Sequence, residues 1–113
     1  MNSSEQDKFR NLWNQVAGEV YQTAVDHGFW ENPNDGERIA LMHTELSEAL
    51  EAIRHKNPPS EKAEGFSNLE EELADVVIRI MDYASHNNLD IAGAIFAKHQ
   101  HNIGRPFKHG KEF

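Results

Sequence analysis

Along the first quarter of the chain the apolar residues Phe9, Leu12, Trp13, Val16, Val20, Ala24 and Val25 recur at steps of three and four, the period of one buried helical face. The spacing predicts a helix from about Ser4 to His27, stopped by Gly28. Phe29 to Gly36 reads as a loop that carries two large aromatics, Phe29 and Trp30. Asn34 with Glu37 resembles a capping box and opens a second helix, about Asp35 to Lys56, which Asn57-Pro58-Pro59 must stop. Ser67 with Glu70 forms another capping box, and the third helix lasts to about His86. Asp90 caps a fourth, about Ile91 to Asn102, before Gly104-Arg105-Pro106 ends regular structure. No segment alternates with period two for long enough to make a strand, so the predicted class is all-α, a four-helix bundle-type chain.

Two helices carry acidic pairs among apolar neighbours. On the second, Ile39, Met42, Leu46, Leu50 and Ile53 form an apolar stripe, with Glu45 and Glu48 one turn apart beside it. The third is apolar nearly all round, with Leu69, Leu73, Val76, Val77, Ile80 and Ala84 on one side and Ala74, Ile78 and Met81 over much of the rest. Its narrow polar wedge holds a second pair, Glu72 and Asp75. A helix of that kind needs to be buried, and this chain alone offers little to bury it, which favours a bundle completed by homo-oligomerisation. Carboxylates three apart lie roughly 5–6 Å from one another at Cβ and repel. Either pair alone reads as a solvated face. Two pairs on consecutive helices, brought together by antiparallel packing, equally suit a hard cation such as Mg²⁺ or Mn²⁺.

The chain has 113 residues, 38% hydrophobic and 27% charged, which fits one folded domain over its whole length rather than a disordered segment. No apolar run is long enough to cross a bilayer, and the first residues lack the basic and apolar regions of a signal peptide, so the expected home is the cytoplasm. Cysteine is absent, which excludes a disulfide scaffold, a thiolate zinc site and a cysteine nucleophile. The net charge of −8 argues against nucleic-acid binding by phosphate neutralisation. Charge is also segregated: residues 1–97 carry −11, while residues 98–113, with Lys98, Arg105, Lys108, Lys111 and Glu112, carry +3. An acidic body with a short basic tail suggests one part that faces cations and one that faces anions; a solvated acidic surface with a basic terminus is the alternative.

The stretches Leu41-Met42-His43-Thr44-Glu45-Leu46-Ser47-Glu48 and Glu71-Glu72-Leu73-Ala74-Asp75, separated as Glu-x-x-Glu…Glu-x-x-Asp, resemble the signature of the MazG-like, all-α nucleoside triphosphate pyrophosphohydrolases. The tail from Lys98 through Asn102, Arg105-Pro106, Lys108-His109-Gly110-Lys111 and Phe113 is similar to the ending of small single-domain members. The resemblance spans about residues 29–113. It implies that Glu45, Glu48, Glu72 and Asp75 bind Mg²⁺, with Mn²⁺ as a substitute, and that the enzyme hydrolyses a (deoxy)nucleoside triphosphate to the monophosphate and pyrophosphate. Phosphoryl-type transfer needs positioning and charge neutralisation more than covalent catalysis, which agrees with the absence of an obvious nucleophile set. Glu48 is the candidate base for the attacking water. Lys98, Asn102, Arg105 and Lys108 are the expected substrate-binding residues, with Trp30 stacking on the base. The expected assembly is a homodimer or homotetramer. Two other readings stand beside it. A di-metal carboxylate oxidoreductase bundle wants Glu-x-x-His pairs, and none occurs. A non-enzymatic helical dimer, acting as an interaction module, leaves the paired carboxylates and basic tail without purpose.

Overall fold

The computed structural model describes residues 1–112, the side chain of His109 apart. It contains α1 (Ser3–Asp26), α2 (Asp35–Arg54), α3 (Asn68–His86) and α4 (Ile91–Ile103), followed by a short 3-10 turn, Phe107–Gly110, that the sequence pattern does not announce. The described residues contain no strand, only one isolated bridge between Pro59 and Ser67. The fold is therefore all-helical, and no described helix is long and apolar enough to cross a membrane.

Each helix begins at a side chain that accepts an orphan backbone N–H. Asn2 and Glu5 cap α1 reciprocally, as do Ser67 and Glu70 on α3, while Asn34 and Asp90 accept from Glu37 and Gly93. Three helices end in the same motif. Phe29, Asn57 and Leu89 donate back to the carbonyls of Ala24, Ala52 and Ala84 across a left-handed residue, which is Gly28, Lys56 and Asn88 respectively. The second helix thus stops at Arg54, before the prolines expected to break it.

Helix α3 is the central element, packed against both α2 and α1, while α4 lies on α1. The α2–α3 hairpin is antiparallel. Asp35 at the start of α2 meets Tyr83 near the end of α3, Glu45 meets Arg79, and Asn57, just past α2, accepts from Leu69.

The helices approach through small side chains. Ala17, Ala49, Ala52, Ala84 and Ala92 are buried with Met81, and among the described residues no large side chain is fully enclosed. This corrects the expectation of a buried face along α1, where Leu12 and Val16 remain exposed. The α2 stripe also points outward: Ile39, Leu46, Leu50 and Ile53 are each about half exposed, while Glu45 faces inward. On α3, Leu73, Val77 and Ile78 are left open too. The accessible surface is 8472 Å². A compact monomer of this mass would show roughly 6300 Å². The radius of gyration, 16.5 Å, likewise exceeds the ~13 Å of a compact domain of this length.

Candidate functional site

The antiparallel hairpin sets the inner edge of α2 against α3, so the two acidic pairs meet. Glu45, Glu72 and Asp75 each offer an oxygen within 4.8 Å of the others. Glu45 is 8% exposed and Glu72 7%, levels at which a carboxylate needs compensation. Glu45 receives it from Arg79, whose Nε donates to Glu45 Oε1 at 2.9 Å. Glu72 has less: Asn68 Nδ2 donates to Oε1 at 3.2 Å, and the buried Oε2 has no hydrogen-bond partner. Glu48 stands exposed at the rim, its carboxyl close enough to Glu72 to share a proton.

The electrostatics follow from this crowding. Burial, then the neighbouring Glu48, then the charges of Glu71 and Asp75 push the Glu72 carboxyl up to about 7. Burial and the charge of Glu45 also raise Asp75, against the opposing pull of Arg79 and Lys62. These groups fit a divalent ion. All the candidate ligand atoms are hard oxygens, and Glu72 Oε2 lacks a donor.

Beside the carboxylates lies an open groove of about 610 Å³ between α1 and the hairpin, within the usual size range of small-molecule sites. Val20, Ala24, Phe29 and Ile78 give it an apolar wall; Arg38, Arg79, Asp82, Glu45 and Asp75 supply charge. Burial raises the Asp82 carboxyl, while the Trp30 indole N–H and Arg38 pull it down. Sequence reasoning missed Arg38 and saw Asp82 only as part of the polar wedge of the third helix. The signal was helical spacing: Arg38 lies two turns before Glu45, and Arg79 and Asp82 lie one and two turns beyond Asp75, on the same faces.

Two sets of expected substrate-binding residues stand apart from the groove. Trp30 is held by three neighbours. His86 stacks on its ring at 3.8 Å and 10°, the Arg38 guanidinium lies over it at 4.2 Å, and its Nε1 donates to Asp82 at 2.8 Å. Trp30 itself does not line the groove, while its neighbour Phe29 does. Lys98, Asn102, Arg105 and Lys108 do not line the groove of their own chain, and α4, which carries the first two, packs on α1. Lys98 and Lys108 are exposed, Arg105 is half-buried, and Asn102 Oδ1 is buried without a partner. His27 lines the groove, whereas His43 is exposed on the outer side of α2. The chain matches no family model, no curated protein and no solved structure, so its own residues carry the functional argument.

Proposed function

We propose that the protein is a Mg²⁺-dependent hydrolase that cleaves (deoxy)nucleoside triphosphates to the monophosphate and pyrophosphate. The observation that carries this reading is the meeting of buried Glu45 and Glu72 with Asp75, one Glu72 oxygen lacking any donor, beside a nucleotide-sized groove. Glu45, Glu72 and Asp75 are the ligands, with Glu48 completing the set from the rim. A bound Mg²⁺, or Mn²⁺, supplies charge neutralisation and a water of lowered pKa. Glu48 would take the proton of the attacking water as its oxygen bonds to the α-phosphorus and the bond from that phosphorus to the α,β-bridging oxygen breaks, releasing pyrophosphate. The apolar wall of Phe29 and Ile78 takes the nucleoside, and Arg38 adds positive charge beside it.

The reading includes a cytoplasmic homodimer or homotetramer. Its support is the outward stripe of α2, the open side of α3, and about 2000 Å² of surface beyond that of a compact monomer. That excess is what each chain gives up in a large obligate interface. In such an assembly the basic tail of one copy, with Lys98, Asn102, Arg105 and Lys108, meets the triphosphate in the groove of another. An interaction module would account for the apolar stripes but leaves two buried carboxylates unexplained.

The test is a panel of ribo- and deoxyribonucleoside triphosphates incubated with Mg²⁺, with products separated by ion chromatography. Monophosphate and pyrophosphate in equal amounts are expected. Release of orthophosphate alone, or no turnover across the panel, overturns the proposal.

A further inference from the structure

The acidic site already contains one cation of its own. Arg79 lies one turn beyond Asp75 on α3, and its Nε–H donates to Glu45 Oε1 at 2.9 Å. This is a single-point contact, not the two-pronged one that a guanidinium makes when it is locked on a carboxylate. Among the described residues Arg79 makes no other hydrogen bond or ion pair, which leaves Nη1 and Nη2 without protein partners. The side chain is 36% exposed and lines the same groove as Arg38, Glu45 and Asp75. Glu45, by contrast, is held between helices and is nearly enclosed. The carboxylate is nearly enclosed, whereas the guanidinium is partly open to the groove.

From this arrangement, and resting on the metal-dependent reading above, we propose that Arg79 is a displaceable counter-ion. It holds Glu45 while no divalent cation is bound, yields that carboxylate when one is, and turns its freed guanidinium into the groove to contact the substrate's phosphates. The physical reasons are charge and geometry. A divalent ion in direct contact with Glu45 outcompetes a singly charged donor 2.9 Å away. The planar fork that Arg79 leaves unused on Glu45 matches two phosphate oxygens. The exchange makes the site ordered: the cation comes first, and its arrival supplies a phosphate-binding arm that was otherwise engaged. Arg79 is thereby the substrate-contacting arginine contributed by the same chain that contributes the carboxylates.

The test is calorimetric titration of the full chain with Mn²⁺ alone, comparing the wild type with Arg79→Gln and Arg79→Lys. Removing the competitor should tighten Mn²⁺ binding about tenfold in Arg79→Gln, with Arg79→Lys between the two. At saturating Mn²⁺, an α,β-methylene triphosphate analogue should bind Arg79→Gln about tenfold more weakly than wild type. An arginine that merely braced Glu45 would give the opposite sign, since loosening a ligand weakens metal binding. Equal or weaker Mn²⁺ binding by Arg79→Gln overturns the displacement, and unchanged analogue affinity overturns the phosphate contact. A wild type that binds no Mn²⁺ overturns the metal-dependent reading and this inference with it. A wild type that binds Mn²⁺ with no gain in the variant overturns this inference alone.

Discussion

Neutralising Glu72 should make the metal-free protein more stable, at neutral and alkaline pH only. The folded state holds the Glu72 proton up to about pH 7, whereas the unfolded chain releases it near the ordinary value of 4.5. The folded state therefore binds the proton more tightly. The resulting stabilisation is fully present below pH 4.5 and is lost as pH rises through 7, so the ionised carboxylate weakens the fold above that point. With solvent screening at the exposed rim where Glu48 sits, the shift corresponds to about 1–2 kcal/mol. Glu72→Gln removes the charge while keeping a side chain of the same shape beside Asn68. In EDTA at pH 8 the variant should melt about 4–8 °C above wild type. At pH 4.5 the two should melt together. Saturating Mg²⁺ should raise the wild-type melting temperature at pH 8 and leave the variant nearly unmoved. Thermal melts followed by circular dichroism at both pH values, with and without Mg²⁺, read all four quantities. An equal gain at both pH values, or a variant less stable than wild type at pH 8, would refute the reasoning.

Glu48→Gln and Asp75→Asn should each abolish pyrophosphate release while leaving the far-ultraviolet spectrum unchanged; near-normal turnover in either removes that residue from the site. Leu50→Asp combined with Ile53→Asp places charge on the outward α2 stripe. The double variant should sediment as a smaller species than wild type, and an unchanged mass would overturn assembly through that stripe. Trp30→Ala strips the ring held by His86, Arg38 and Asp82, and should cost about 2–3 kcal/mol in urea denaturation. A loss of nucleotide affinity without a loss of stability would return Trp30 to the binding site. Mixing inactive Glu48→Gln with a weakened Arg105→Ala should restore activity if the tail serves a neighbouring copy's groove, and should restore none if each chain is self-sufficient.

Helix positions were legible because their signals are local. The Ser67–Glu70 and Asn34–Glu37 spacings place N–H acceptors at helix starts whatever the rest of the chain does. The ends were less so. Lys56 and Asn88 adopt left-handed backbone where a bond back to Ala52 or Ala84 closes the helix; Asn87-Asn88 marks the end of α3 in the sequence, whereas Lys56 gives no such signal for α2. The α2 stripe could be drawn on a wheel, but a wheel does not say which neighbour an apolar face meets. Here the alanines and Glu45 take the helix contact, and the leucines are left outside. The carboxylates converge because hairpin packing sets α2 and α3 in opposite directions, which their order along the chain suggested. The fate of Trp30 was not readable, since Asp82 and His86, more than fifty residues away, decide it. Arg38 and Asp82 were readable in principle, as members of the faces that carry Glu45 and Asp75.

The account stands on the acidic side chains of α2 and α3 sharing one divalent ion. Crystals grown with Mn²⁺ and a non-hydrolysable triphosphate analogue, recorded at a wavelength where manganese scatters anomalously, test that claim without reference to turnover. The account predicts anomalous density in direct contact with oxygens of Glu45, Glu72 and Asp75 and with the analogue's phosphates. Analogue bound in the groove with no such density among the three carboxylates would contradict it.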